Sequence, residues 1–393
     1  MRTIGVVTVA RSDYGVYLPV LRKIQVDPEL RLYLIVSGMH LSPEFGLTVE
    51  AIEADGFEIG ERVEMLLSSD TPEGIAKSMG MGIIGFAEAY AQFRPDTLVV
   101  LGDRFEMHAA ALAALPFKIP VAHIHGGEIT QGAIDDALRH SMTKLSHLHF
   151  VSTQEYARRV IQLGEESWRV IVSGAPSLDN LRATKLLARE ELAVRFDLHF
   201  DESPFLLVTF HPVTLEYEQT EWQITELLAA LGACGLPVVF TMPNADTSRR
   251  IIVHEIEEFV ATHSSAQAID NMGTQGYFSM MALVAAMVGN SSSGIVEAAS
   301  FELPVVNVGT RQRGRVRGAN VVDVDYERTS ILEGLRRALD PQFRAKLCGI
   351  RNPYGSGGAS EKIVEVLKQV QLDDKLVMKR FHDLEVEPSE GVD

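Results

Sequence analysis

Short β-branched and apolar runs alternate with helical patterns along almost the whole chain, and that alternation limits the possible folds more than any other feature. Strand-like runs stand at Thr3 to Ala10, Arg31 to Ser37, Asp96 to Leu101, Ile119 to Ile124, Leu148 to Ser152 and Arg169 to Val172. Helical spacing fills the intervals, near Tyr14 to Ile24, Pro43 to Ala54, Pro72 to Phe93, Phe105 to Leu115, Asp135 to Ser146 and Glu155 to Leu163. Strands joined through helices run parallel, and a parallel sheet is covered on both faces. After a charged helix at Ala183 to Phe196 a second series follows, with strands at Phe205 to Phe210, Pro237 to Thr241, Ala285 to Val288 and Pro304 to Val308. At 393 residues the chain exceeds what one core sustains, so two α/β domains are expected, 1–176 and 177–358. The amphipathic stretch Glu361 to Gln369, within about 359–381, should cross back and complete the first domain, leaving a frayed acidic tail at 382–393.

In an open α/β sheet ligands gather beyond the carboxyl ends of the strands. There the stretch Gly289-Asn290-Ser291-Ser292-Ser293-Gly294-Ile295-Val296-Glu297 stands out. The apolar run Leu283 to Val288 suits a buried strand before it, and Ile295 to Phe301 a short helix after it. A serine- and glycine-rich loop opening a helix leaves N–H groups and hydroxyls for an anion, so a phosphate fits. Glu297, expected in the first helical turn, suits ribose hydroxyls. The competing reading is a serine-capped helix with Glu297 as its capping-box partner.

The 36 basic and 53 acidic residues leave a formal charge of -17, which repels nucleic acid and anionic membrane, so neither is an expected partner. An anionic ligand must be held by local groups. Two cysteines, Cys234 and Cys348, fit a reducing cytoplasm, and no signal peptide or membrane span is expected. One G-x-G-x-x-G match, Gly80 to Gly85, lies inside a helical pattern with no strand ahead of it, so close helix packing explains it better than a dinucleotide.

Polar residues just past the strands form the candidate site: Arg11, Ser12 and Asp13; Asp103 and Arg104; His123, His125 and Glu128; His211; Asn244; the serine loop; and Arg311. All are expected to face one cleft. Asp103 could cap a helix or act as a catalytic carboxylate. His123 and His125, on one side of a strand, could ligate a metal with Asp103 and Glu128, but no further ligand set of recognised spacing follows, and no metal is expected. Of Asp135 and Asp136, one should cap a helix and the other enter the cleft. Thr310 to Gly318 gathers four arginines, the side chain best matched to a diphosphate.

Taken together, these motifs resemble the UDP-N-acetylglucosamine 2-epimerase family. They are Ala10-Arg11-Ser12-Asp13-Tyr14-Gly15, Leu101-Gly-Asp103-Arg-Phe-Glu106, His123-Ile-His125-Gly-Gly-Glu128, Ile134-Asp135-Asp136 with Arg139-His140, Phe210-His211-Pro212, Met242-Pro243-Asn244, the serine loop with Glu297, and Gly309-Thr310-Arg311-Gln312. The resemblance reaches to Asn352-Pro353-Tyr354-Gly355. It implies a GT-B fold: two Rossmann-like domains, a cleft between them and a C-terminal helix returning to the first. The first-loop motif and Gly126-Gly127-Glu128 with Asp135-Asp136 are similar to the hydrolysing branch, which releases UDP and a free 2-epimerised sugar by elimination to a glycal and hydration. By resemblance, Asp103 and Asp135 are catalytic carboxylates, with His125, Glu128 and His211 also catalytic. Arg11, Asn244, His211, Ser291, Ser292 and Arg311 hold the nucleotide, its diphosphate above all, and Glu297 holds the ribose. His125 stands where many relatives carry glutamate, so either His125 serves as the acid/base or Glu128 supplies the carboxylate from one turn further on, with a shared role favoured. The implied substrate is UDP-N-acetylglucosamine or a UDP-linked 2,4-diacetamido-2,4,6-trideoxy sugar. No cofactor and a homodimer are expected, and a sugar-nucleotide-binding regulator without turnover is the reading from another class.

Overall fold

The structure, a computed structural model, describes residues 1–69, 71–131, 133–199, 203–213, 215–243 and 248–384. Among them are two parallel sheets. The first contains β1 (Arg2–Thr8), β2 (Leu30–Ser37), β3 (Ile59–Val63), β4 (Thr97–Leu101), β5 (Val121–Ile124), β6 (Leu148–Val151) and β7 (Val170–Val172), in the order β3-β2-β1-β4-β5-β6-β7. The second contains β8 (Leu206–Thr209), β9 (Val238–Thr241), β10 (Ala266–Ile269), β11 (Ala286–Gly289), β12 (Val305–Val308) and β13 (Val321–Val324), in the order β10-β9-β8-β11-β12-β13. Strand order reverses between β1 and β4 and between β8 and β11, and the crevice at such a switch point is where an open sheet takes its ligand.

Three strands were not legible in the sequence: β3, β10 and β13. All lie at sheet edges. An edge strand shields less apolar surface, so Gly60-Glu61-Arg62, Gln267 and Asp323 interrupt the apolar run that marks a central strand. The helix expected at Pro43 to Ala54 is instead broken by Gly46, which turns left-handed at φ 80° after a 3₁₀ turn, and the α-helix starts only at Val49. Leu283 ends the helix Gly273–Leu283, so the strand before the serine loop starts later than its apolar run implied.

The helix Ala359–Gln369 buries Ile363, Val364 and Leu367 in the same core as β1, β2 and β4, well away in sequence. Leu376 joins them, and Arg169 donates to the Leu376 carbonyl at 2.8 Å. Two Rossmann-like α/β halves with a final helix returned to the first make the GT-B architecture. Between the halves lies a further apolar cluster in which Val151, Tyr156, Val160, Ala175 and Leu178 meet Ile295, Val296 and Tyr354. The Tyr156 and Tyr354 hydroxyls are 2.7 Å apart, and Tyr156 accepts from the Val316 N–H at 2.9 Å. Among the described residues no helix is long and apolar enough to cross a membrane.

Candidate active site

The end of β11 fixes the serine loop. Gly289 has φ 125°, and a Cβ there would lie 2.1 Å from the Thr209 carbonyl oxygen, so only glycine lets β11 run this close to β8. The next residue, Asn290, is fully buried. Its Oδ1 accepts from the His211 N–H at 2.7 Å, its Nδ2 donates to the His211 carbonyl at 2.8 Å, and its own carbonyl accepts from Arg311 at 3.1 Å and Gln312 at 2.8 Å. One asparagine thus ties together the carboxyl ends of β8, β11 and β12. Ser291 caps the helix Ser292–Val296 by accepting from the Ser293 N–H. Tyr277 reaches the hydroxyls of Thr209, Ser291 and Ser293 from the helix Gly273–Leu283. Neither Asn290 nor Tyr277 was singled out from sequence; the only hint of Asn290 was its place directly after the strand-ending glycine.

Cations collect on this side. His211 is buried and held well below the usual imidazole range, first by burial and then by the nearby guanidinium groups of Arg311 and Arg104. It is therefore neutral beside a positive field. Arg11 crosses from the first domain to donate to the Asp270 carbonyl at 2.7 Å. Asp13 does not enter the cleft: it folds back to accept from the N–H groups of Val9 and Ala10 and the hydroxyl of Thr8, shaping the loop after β1. Arg317 pairs with Asp323 at 2.7 Å within its own domain, and Arg315 reaches the first domain, so both of these arginines have carboxylate partners within the protein.

The opposite wall is built by the loops after β4 and β5. Asp103 does not cap its helix, whose N-cap is Arg104; its carboxylate bonds Arg139. Arg139, 1 % exposed, also donates to the His125 carbonyl and the Thr130 hydroxyl, both at 3.0 Å, and lies 3.6 Å from Glu128. His125 Nδ1 is 2.5 Å from Glu128 Oε1, and the Ser152 hydroxyl donates to the same oxygen at 3.1 Å. With Nδ1 facing a carboxylate, the proton sits on Nδ1 in the neutral ring, and Nε2 is the basic atom; among the described residues it has no hydrogen-bond partner. Burial alone would push the Glu128 carboxyl up, but Arg315, His125 and Arg139 together hold it below the usual range.

The two histidines do not share a face as expected. β5 stops at Ile124, and His125 takes φ 66°, a conformation that costs a residue with a Cβ on the order of 1 kcal/mol. This turns its ring towards Glu128, while His123 stays fully buried with Nε2 2.7 Å from the Gly102 carbonyl. Among the described residues no group of three or more His, Cys, Asp or Glu side chains could hold a metal. Neither aspartate is the helix cap expected of the pair: the helix Asp135–Leu145 has Ile134 at its N-cap, Asp136 instead accepts from the Thr130 N–H of the preceding loop at 2.6 Å, and Asp135 beside it is half-buried.

Glu297 links the two walls. It lies at the end of its five-residue helix, not in the first turn, and does not serve as a capping-box partner. Its carboxylate accepts from Ser177 and feels the charges of His125 and Glu128. Burial pushes its carboxyl up to about 7, although Ser177, the charge of His125 and Ser293 all pull it down. Asn244 lies outside the described residues.

The sequence profile of the family described as "UDP-N-acetylglucosamine 2-epimerase" matches residues 22–368. The chain belongs to that family. It is 38% identical over 96% of its length, and 99% of the relative's, to "UDP-N,N'-diacetylbacillosamine 2-epimerase (hydrolyzing)" of Legionella pneumophila. It is 30% identical over 98% of its length, and all of the relative's, to "UDP-N-acetylglucosamine 2-epimerase" of Neisseria meningitidis serogroup B. These similarities place it in the hydrolysing branch. Its fold matches a crystal structure of UDP-GlcNAc 2-epimerase from Neisseria meningitidis bound to UDP-GlcNAc with a TM-score of 0.79, at 21% identity over 93% of this chain and 99% of that one.

Removing Arg139 leaves the part-buried Asp103 carboxylate without its counter-ion and the buried Glu128 with one cation fewer. Arg139→Met is expected to lower stability by about 3–5 kcal/mol, read as a fall in the chemical-denaturation midpoint. A loss under about 1 kcal/mol would mean that solvent already screens the cluster.

Proposed function

We propose that this enzyme is a hydrolysing 2-epimerase that converts UDP-N-acetylglucosamine and water to N-acetylmannosamine and UDP. The observation that carries the reading is the meeting, across two domains, of a proton-transfer cluster with a phosphate-type loop: Asp103, Arg139, His125 and Glu128 on one side, Glu297 and the serine loop on the other. In the proposed reaction a base removes the C2 proton, the C1–O bond breaks with its electron pair leaving on UDP, and a C1=C2 double bond forms. Water then adds its hydroxyl at C1, and a proton returns to C2 on the opposite face. The pair of His125 Nε2 with Glu128 behind it is suited to moving the C2 proton, since a carboxylate fixes the imidazole tautomer and steadies its cation. Asp103 and Asp135 are assigned to the water step and the sugar. Arg11, His211, Ser291, Ser292 and Arg311 are assigned to the diphosphate, whose departure guanidinium groups favour. Asn244 is assigned to the nucleotide and Glu297 to the ribose. Domain limits of 1–176 and 177–358 are part of the same reading.

A second sugar is favoured by one finding. The Legionella pneumophila relative, named for UDP-N,N'-diacetylbacillosamine, is 38% identical, against 30% for the Neisseria meningitidis relative named for UDP-N-acetylglucosamine. The proposed alternative is therefore UDP-linked 2,4-diacetamido-2,4,6-trideoxyglucose, with the same chemistry at C1 and C2.

A homodimer is the proposed assembly. The helix Pro72–Gln92 leaves Met81, 45% exposed, and Ile84, 63% exposed, on an outer face that also carries Gly80 and Ala91 with Lys77 and Glu88 at its charged ends, a surface suited to a second copy. Sedimentation should give twice the chain mass, reduced to the monomer by Ile84→Asp; an unchanged mass in that variant puts the contact elsewhere.

Each sugar nucleotide is to be incubated in deuterated water and followed by NMR. Release of UDP with deuterium at C2 of a free manno-configured sugar is the expected result, from one substrate or the other. Binding without product would favour the regulator. Asp103→Asn should abolish turnover and leave UDP affinity nearly intact; loss of UDP binding would move Asp103 to the nucleotide or to structure.

Ribose hydroxyls donating to Glu297 favour its ionised form, so UDP binding should expel a proton below about pH 7. Calorimetry in buffers of different ionisation heat should show that release, and UDP affinity should weaken as pH falls from about 7. The phosphate's own titration persists in Glu297→Gln, so an equal proton count in both proteins would remove Glu297 from the ribose.

A further inference from the structure

We propose that Arg315 is a positioning residue for catalysis: it reaches from the second domain to clamp the Glu128 carboxylate of the first, so the His125–Glu128 pair is complete only while the two domains are apposed. The inference rests on the epimerase reading and deepens it, since no substrate contact of Arg315 is required.

The loop after β12 is laid against the first domain. Gly314 has φ 83°, and a Cβ there would come within 2.8 Å of Ile129 Cγ2, so the loop passes where a side chain would not fit. Arg315 Nε donates to the Ile129 carbonyl at 3.1 Å, and Nη2 lies 3.2 Å from Glu128 Oε2. The Val316 N–H donates to Tyr156, while its carbonyl accepts from Tyr354 at 3.0 Å. Behind it, Arg317 braces the loop from within the second domain, holding Asp323 and donating to the Arg315 carbonyl at 2.7 Å. Three consecutive residues therefore dock by side chain and backbone together.

The two oxygens of Glu128 divide their work. Oε1 faces His125 and Ser152, and Oε2 faces Arg315 at 3.2 Å and Arg139 at 3.6 Å. Arg139 is already committed to Asp103, so Arg315 is the closer cation and the one that fixes the carboxylate's rotation. The remaining titratable neighbours are the phenols of Tyr156 and Tyr354 and, across the cleft, Glu297, none of which supplies positive charge. Without Arg315 the buried carboxyl loses its nearest cation and rises towards the protonated form, which cannot accept the His125 Nδ1 proton as strongly. Because this guanidinium belongs to the other domain, separating the domains withdraws it.

The test compares Arg315→Gln and Arg315→Lys with the wild-type enzyme: kcat and KM across pH on both sugar nucleotides, UDP affinity by calorimetry, and thermal midpoint. For Arg315→Gln kcat should fall roughly 10²-fold, within the range of general acid–base catalysis, with KM and UDP affinity nearly unchanged. The acid limb of the kcat profile should move to higher pH by roughly one unit or more, and Arg315→Lys should restore part of that shift. A KM or UDP dissociation constant that rises in step with the loss would make Arg315 a substrate contact and overturn the proposal. A lower thermal midpoint or kcat with an unmoved acid limb would make it structural and overturn it too. Should the glutamine variant not fold, the lysine variant carries the same comparison of limbs. Failure of the epimerase reading looks different: wild-type protein releases no UDP from either sugar nucleotide, and the positioning role falls with it.

Discussion

A guanidinium almost wholly removed from water, that of Arg139, is the interaction on which the rest of the site depends. Moving such an ion out of water costs several kcal/mol even after the protein relaxes, and only close partners offset it. Asp103, the His125 carbonyl and the Thr130 hydroxyl are those partners. With Arg315 and Glu128 added, two cations stand against two carboxylates, and the charges of these two pairs cancel. Neutrality matters for proton transfer, because a proton moved onto or off His125 then changes the local charge by one unit against no large background. At the other end the guanidinium groups of Arg311 and Arg104 act on a neutral His211, with Arg104 paired to the buried Glu106. In a chain of formal charge -17, local cations of this kind are what the proposed anionic nucleotide requires.

The fold supplies this division through strand order. β4 and β5 are neighbours, so the turns after them set Asp103 beside His125, and the helix Asp135–Leu145 sends Arg139 back between them. β8, β11 and β12 are neighbours in the second sheet, which lets Asn290 bind His211 on one side and hold Arg311 on the other. Two backbone positions make this possible. Gly289 permits the approach of two strand ends, and His125 accepts a left-handed conformation that its side-chain and backbone bonds must hold in place.

Much of this was legible beforehand. The alternating pattern disclosed both sheets because central parallel strands are buried on two faces and read as unbroken apolar runs. β3, β10 and β13 were not disclosed, because an edge strand tolerates a glycine, a charge or an amide in its middle. Asp103, Glu128, His211, Arg311 and the serine loop could be picked out as candidates because chemistry just past a strand has a known place in this architecture. The partners that organise them were harder to see. Arg139 lies inside a helix, where nothing in the local spacing separates a buried ion from an exposed one. Arg315 sits among four arginines whose composition implied a diphosphate, and only the contact between domains separates one that meets a carboxylate from one that meets a ligand. The expectation that His123 and His125 share a face assumed a strand continuing past Ile124, and a single positive φ ends it.

Three buried carboxyls near one cleft differ mainly in their counter-ions, and that difference separates their roles. Glu128 has cations on one oxygen and an imidazole on the other, so it is held ionised despite its burial. Asp13 accepts two backbone N–H groups and a hydroxyl, yet burial still lifts it to about 7; its bonds serve the shape of the Arg11 loop. Glu297 has the hydroxyls of Ser177 and Ser293 and the weaker influence of His125, and burial lifts it too to about 7. A carboxyl fixed in its charged state can act on a proton at any neutral pH. One balanced near neutrality gains its charge only when donors reach it, which is the behaviour expected of a group that answers to a ligand, and this difference supports the proposed assignment of chemistry to Glu128 and of recognition to Glu297.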